Sequence, residues 1–516
     1  MMSTRYRSTI SISSFFAGNL AASSVLGLLL LLSVIQPDSF AQTTTANDAR
    51  TFYQLAKNYA DFMVEKGVDR YGETHTPAFV SMLNRETHSV YDQPREQIWF
   101  LRDDYGVREI DRSFNGTNPF NDTKLYVLLY ELAEDTGRDT YRKAADRSLA
   151  WVIQHTQHPE TDLIAWGDHV AWDVKEEELI RRPKSGSEWA NLKHEVTGYW
   201  PLWQRAFWLA PEAMIKYARA FWKHHYYNKE DGIYAHQTRI DTGAPDKGYV
   251  FPRMVGHMIY AWTLAHYATD DASTKKEFER YINHLITKQF ERRKQYKLRN
   301  LPRLHPKRGP KHAPFQNLQS IYDLQRSLDL ETLPDALQEK LTSYVQLEER
   351  NFKRAQNLQP GAIVTATDPA LTTVRGSRKG NKKFWCATYT GEGLYSSRAL
   401  RILARYRQTD DPFYGDMVIA VANDYLGEQP GCKSIPLWPM SVARAIDLML
   451  NAHAITGEAK YLNQAIKYGR AGIELFMDDT SPLPKVFDRG EFDHYETKSG
   501  GDELMYSFYK LSQAMR

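Results

Sequence analysis

Asp122-Thr123-Lys124-Leu125 through Leu132-Ala133-Glu134-Asp135 is stopped by Thr136-Gly137, and Tyr141-Arg142-Lys143-Ala144-Ala145 then runs on to Val152-Ile153. Apolar positions recur at helical spacing on both sides of the stop, and glycine accepts the left-handed backbone that commonly ends a helix. The stretch therefore predicts two antiparallel helices joined by a tight turn. The pattern returns near the C-terminus, where Val442-Ala443-Arg444 and Ala445 to Leu450 lead through Thr456-Gly457-Glu458 to Lys460-Tyr461, Ala465-Ile466 and Tyr468. Weaker copies run from Ala399-Leu400-Arg401-Ile402 across Thr409-Asp410-Asp411-Pro412 to Ala420-Val421-Ala422, and from Ile259-Tyr260-Ala261-Trp262 across Thr269-Asp270-Asp271 to Phe278 and Tyr281.

Helical hairpins repeated over most of a chain stack as an open solenoid or close into an (α/α) toroid. Closure is the expectation here, because the segments rich in polar and aromatic residues fall in loop-like stretches between hairpins, where a toroid builds the funnel at one end. The fold class is thus all-α, with residues 42–516 as a single (α/α) toroid domain. Ala362-Ile363-Val364-Thr365 is the best strand candidate, and a long basic loop is expected around 295–315.

Residues 1–41 read as a leader rather than as fold. Arg5 and Arg7 precede an apolar stretch from Val25 to Ile35, and Ser39-Phe40-Ala41 before Gln42 has the small-residue character of a cleavage site. The apolar run is shorter than the roughly 18 residues of a membrane span. A secreted or periplasmic protein without stable membrane insertion is expected. Export permits one disulfide between Cys386 and Cys432, the only cysteines, and a metal would have to be held by histidine and carboxylate.

The chain is 42% hydrophobic and 13% aromatic, with 12 Trp and 31 Tyr, which serve equally as packing and as platforms for sugar rings. A net charge of +3 gives no global field for nucleic acid. Basic residues do crowd 292–312, from Arg292, Arg293 and Lys294 through Arg303, Lys307, Arg308 and Lys311. With no nucleic-acid module beside it, this run reads as a solvated face or a wall toward an acidic polysaccharide.

Three segments each carry a residue able to bind a metal: Gly167-Asp168-His169-Val170-Ala171-Trp172-Asp173, Lys193-His194-Glu195-Val196-Thr197-Gly198-Tyr199-Trp200 and Gly232-Ile233-Tyr234-Ala235-His236-Gln237. Their order and spacing over roughly residues 160–240 resemble polysaccharide lyase family 2, the pectate lyases built on an (α/α) toroid. Asp69-Arg70-Tyr71-Gly72 and Thr76-Pro77-Ala78-Phe79-Val80 are also similar to that family. The resemblance implies a divalent cation, manganese ahead of zinc or calcium, held by His169, Glu195 and His236. It also implies cleavage of a pectate-like uronate chain by β-elimination. The family's catalytic arginine precedes the last metal histidine, and that position is Ala235 here.

A base must still remove the proton beside the uronate carboxylate, while positive charge stabilises the enolate-like anion that develops. Arg239, Tyr234 and Arg253, the last within Val250-Phe251-Pro252-Arg253-Met254-Val255-Gly256-His257, are the candidates. Arg70, Tyr71, Trp172, Arg398 and His494 are expected to rim the cleft as substrate-binding residues. Two other classes fit the same residues: a glycoside hydrolase using two of Asp168, Asp173 and Glu195, and a non-catalytic glycan-binding protein.

Overall fold

The structure is a computed structural model that describes residues 38–92, 114–167, 170–179, 192–195, 199–245, 251–295, 313–368, 370–374, 383–387, 391, 393–489 and 493–516. Fourteen α-helices dominate the described residues: α1 (Asp38–Glu65), α2 (Thr123–Thr136), α3 (Asp139–His155), α4 (Trp203–Leu209), α5 (Pro211–His224), α6 (Arg253–Ala268), α7 (Ala272–Gln295), α8 (Pro314–Leu328), α9 (Asp335–Asn357), α10 (Tyr395–Thr409), α11 (Pro412–Tyr425), α12 (Pro439–Thr456), α13 (Ala459–Phe476) and α14 (Gly501–Ala514).

The connections alternate strictly in length. Two residues join α2 to α3, one joins α4 to α5, three join α6 to α7, and two join both α10 to α11 and α12 to α13. The return connections, by contrast, span 66–122, 156–202, 225–252, 296–313, 358–394, 426–438 and 477–500. Proline in the first turn of α5, α8, α11 and α12 makes the sharp entries, since its missing N–H would have no intrahelical acceptor there. The long segments consequently gather at one end, in front of the N-termini of the even-numbered helices.

Those even-numbered helices form the inner ring. α6 packs against α8, α8 against α10, α10 against α12, α12 against α14, α14 against α2, and α4 against α6. α3 bridges α2 to α4. Helix α6 is buried on nearly every face, as an inner helix must be, whereas α3, α5 and α13 bury one stripe each. Helix α1 packs along α14 and so joins the two ends of the chain, which makes the array a closed (α/α) toroid rather than an open solenoid. Among the described residues no helix is long and apolar enough to cross a membrane.

Two expectations are corrected. Ala362–Thr365 is irregular chain, not a strand, because the Gln356 side chain takes both hydrogen bonds of Val364, donating to its carbonyl at 3.0 Å and accepting from its amide at 2.9 Å. The basic run does not open as loop at 292, because α7 continues to Gln295 and Arg292 donates to the carbonyl of Gly232. The loop expected around 295–315 falls between Gln295, where α7 ends, and Pro314, where α8 begins, and 296–312 lie outside the described residues.

Among the described residues, nine short strands lie in the long connections and form four small sheets: β1 (Met82–Asn84) with β9 (His494–Glu496), β2 (Gly116–Thr117) with β3 (Trp172–Asp173) and β4 (Glu178–Leu179), β5 (Lys193–Glu195) with β8 (Gln237–Arg239), and β6 (Tyr226–Asn228) with β7 (Ile233–Tyr234). Cys386 and Cys432 form a disulfide that ties the segment before α10 to the segment before α12.

Candidate active site

Strand β5 pairs antiparallel with β8 in the register Lys193 with Arg239, His194 with Thr238 and Glu195 with Gln237. This register sets His236, the residue just before β8, beside the Glu195 carboxylate. One carboxylate oxygen lies 3.4 Å from His236 Nε2 and accepts from the Gln237 amide at 3.0 Å. The other accepts from the Arg253 guanidinium at 2.8 Å. Phe251 fills the space beside both groups, with His236 edge-on to its ring at 4.6 Å and the Arg253 guanidinium over it at 4.7 Å. The carboxylate is almost fully buried, so its charge is balanced by Arg253 rather than by water.

His169 and Asp168 lie outside the described residues, but the chain on either side of them is held firmly. The Asn118 amide donates to the carbonyls of both Gly167, at 2.7 Å, and Val170, at 2.6 Å. Gly167 adopts φ +110° and lies so close to β5 that a Cβ there would fall 2.6 Å from the Glu195 carbonyl oxygen. The segment leading into His169 is therefore pressed against the backbone of Glu195.

Behind this face runs a chain of buried neutral groups. Ala235 O can only accept, so His225 Nδ1 donates to it at 3.1 Å, and His225 Nε2 must then accept from His194 Nδ1 at 2.9 Å. His194 Nε2 in turn accepts from the Tyr217 hydroxyl at 2.6 Å. Burial holds His194 well below the usual histidine range and His225 down at about 4, in keeping with two uncharged rings. The chain braces the strand carrying Glu195 against the peptide preceding His236. Sequence reading named His194 only as Glu195's neighbour and missed His225, Tyr217, Asn118 and Gln237. A lone polar residue carries no periodic or motif signal.

Arg253 is the one sequence-nominated base brought to Glu195. Arg239 is turned away from that role, because its guanidinium forms a two-pronged ion pair with Asp241 in its own turn. Tyr234 is buried and its hydroxyl donates to the Phe251 carbonyl at 3.1 Å. The expected rim residues are dispersed. Arg70 is exposed, and the Tyr71 hydroxyl accepts from the Val90 amide. Trp172 is half-buried in β3 and edge-on to Trp151. Arg398 is half-buried in the first turn of α10, where burial and the nearby Arg401 lower its pKa. His494 does not reach a rim at all: it is fully buried in β9 with Tyr91 edge-on to it. Among the described residues no three histidine, cysteine or carboxylate side chains form a metal-binding group.

The chain matches the model of a family described as periplasmic pectate lyase over residues 108–232. The match includes Glu195 and the 168–169 position, ends before His236 and Arg253, and overlaps the resemblance read from the motifs. Among solved structures, cellobiose 2-epimerase from Spirochaeta thermophila is 10% identical with a TM-score of 0.39, covering 93% of this chain and 99% of its own. An α-1,6-mannanase of Salegentibacter is 9% identical with a TM-score of 0.38, covering 89% and 99%. A polysaccharide lyase is 11% identical with a TM-score of 0.37, covering 89% of this chain and 52% of its own. Likeness at this level assigns no activity.

Proposed function

We propose that the protein is an exported, metal-assisted polysaccharide lyase that cleaves a uronate-containing chain by β-elimination. The observation carrying this reading is the 3.4 Å approach of His236 Nε2 to the Glu195 carboxylate. Two donors each about 2.1 Å from one ion sit at that kind of separation. His169 would be the third ligand, and the clamping of Gly167 and Val170 by Asn118 supports it. The donor set of two imidazoles and a carboxylate suits manganese or zinc better than calcium. The ion's contribution when bound is to neutralise the uronate carboxylate and so favour loss of the adjacent proton.

The remaining work belongs to the chain's own side chains. Arg253 offsets the Glu195 carboxylate at 2.8 Å and adds positive charge where the enolate-like anion develops. Arg398 and Arg70 are positive charges available to uronate carboxylates further along the polymer, with Tyr71 and Trp172 as aromatic contacts. The hydrolase alternative is less well supported. Glu195 is committed to Arg253, and Asp173 is fully buried and accepts from the amides of Lys175 and Glu176, which leaves no described pair of carboxyls flanking a bond.

The test is incubation with polygalacturonate, alginate and glucuronan in the presence of manganese, following the ultraviolet absorbance of unsaturated products. Glu195→Ala should lose bound metal and product formation together. Full activity of metal-stripped Glu195→Ala protein overturns the reading.

A further inference from the structure

A buried histidine–carboxylate pair in the ring interior takes no part in the site described above. His257 lies on α6, four residues and therefore one turn beyond Arg253, on the same face of the helix. Its Nδ1 meets a carboxylate oxygen of Asp323 on α8, in a contact between two side chains that are each 1% exposed. A carboxylate accepts, so Nδ1 carries a proton, and the tautomer without a proton on Nε2 leaves that nitrogen's lone pair free to accept. That Nε2 is buried and has no hydrogen-bond partner among the described residues. A buried polar atom without a protein partner calls for an explanation, and a catalytic duty is one that this nitrogen's carboxylate-backed partner atom favours.

The dyad is also held rigidly. The second oxygen of Asp323 accepts from Arg326 at 3.1 Å, and Arg326 lies 4.0 Å over the ring of Tyr260 and 5.1 Å over that of Tyr199. Gly256, next to His257, lets the two helices touch, since a Cβ there would fall 2.2 Å from the Ser320 carbonyl oxygen. These contacts locate the dyad relative to the candidate site. Glu195 is tied to α6 through Arg253, and Tyr199, four residues further on, is tied to α8 through Arg326. His257 and Asp323 join the same two helices. Tyr199 is among the few large aromatic side chains left exposed, at 41%, and stands edge-on to Tyr322.

We infer that His257, oriented by Asp323, is the proton-transfer group of the lyase reaction, taking the role for which the sequence offers only Ala235 at the family's arginine position. The inference rests on the lyase reading above. The proton on the carbon beside the uronate carboxylate passes to His257 Nε2, and the electron pair it leaves forms the new carbon–carbon double bond. The bond to the glycosidic oxygen breaks, and that oxygen takes a proton back from the imidazolium. The imidazole returns to its starting protonation state, and no oxidant or reductant is consumed. Asp323 acts by fixing the tautomer and stabilising the imidazolium.

The experiment compares wild type, His257→Gln and Asp323→Asn on polygalacturonate, alginate and glucuronan with manganese, measuring kcat, KM and thermal unfolding. The expected result is a kcat lower by on the order of 10²–10⁴-fold in His257→Gln, with a smaller loss in Asp323→Asn and KM nearly unchanged in both. If His257→Gln does not fold, the kcat of Asp323→Asn decides in the same way. An active wild type whose variants keep their kcat, or lose efficiency through KM alone, overturns this inference and leaves the lyase reading standing. A wild type that forms no unsaturated product on any of the three polymers overturns both.

Discussion

At the scale of single residues, the site is built by side chains that differ sharply in how visible they are in sequence. Glu195 and His236 stand in short segments with an aromatic or glycine neighbour, and the resemblance singled them out. Asn118 and His257 are isolated letters, and only the folded chain shows that one bonds the carbonyls of both Gly167 and Val170 while the other has a ring nitrogen with no partner among the described residues. Gly167 is intermediate. Its neighbours were conspicuous, but its own role is set by a φ of +110° and by contact with the Glu195 backbone. Gly167→Ala should therefore be costly, through about 1–3 kcal/mol of backbone strain and through displacement of β5. Thermal unfolding should fall by several degrees and manganese affinity by more than tenfold, measured by calorimetric titration. Unchanged metal affinity would separate the 167–170 segment from the site.

At the scale of elements, the helices were legible and the strands were not. Each quoted hairpin carries about four apolar repeats and a Gly or Asp stop, enough to state a period. The strands are two or three residues long, too short for any alternation to register. Yet β5 and β8 bring Glu195 to His236, so the decisive contact comes from the least legible elements. The long connections are also anchored by groups the sequence left anonymous. Asp122, immediately before α2, is buried and accepts from the hydroxyls of Ser81 at 3.0 Å and Thr497 at 2.9 Å, joining three distant segments. Burial raises its carboxyl to about 7. A carboxyl that titrates higher folded than unfolded binds more protons in the native state, so its contribution to stability is present at acid pH and is lost as pH rises from about 4 toward 7. Asp122→Asn, which keeps the shape without the charge, should lower the melting temperature little at pH 5. At pH 8 it should match or exceed wild type. Equal losses at both values would show that Asp122 does not supply this pH dependence.

At the scale of the whole molecule, ring closure follows from the repeat only if the ends of the chain meet. The sequence patterns argued for hairpins, and the choice between solenoid and toroid depended on where the loops fell. The pairing that closes the ring, α1 on α14, joins segments more than 400 residues apart and leaves no local signature. It is made by packing: Phe52 meets Phe508 of α14 at 5.3 Å between ring centres, and just before α14 the Tyr495 hydroxyl of β9 lies 2.6 Å from that of Tyr59 on α1. Closure also serves the site, because the long connections can converge on one mouth only if their helices are held in a circle. Phe52→Ala removes a fully buried ring at the seam and should cost roughly 3–5 kcal/mol. A leucine-to-alanine change inside one hairpin, Leu149→Ala on α3, should cost about 2–5 kcal/mol. The two losses differ in kind. Seam loss should speed proteolysis and amide exchange in α1 and α14 before the rest of the ring, whereas Leu149→Ala should loosen α2 and α3 first. Protection that falls uniformly across the chain in the Phe52→Ala variant would mean that the seam is no weaker than the hairpins, and that the ring unfolds as one cooperative unit.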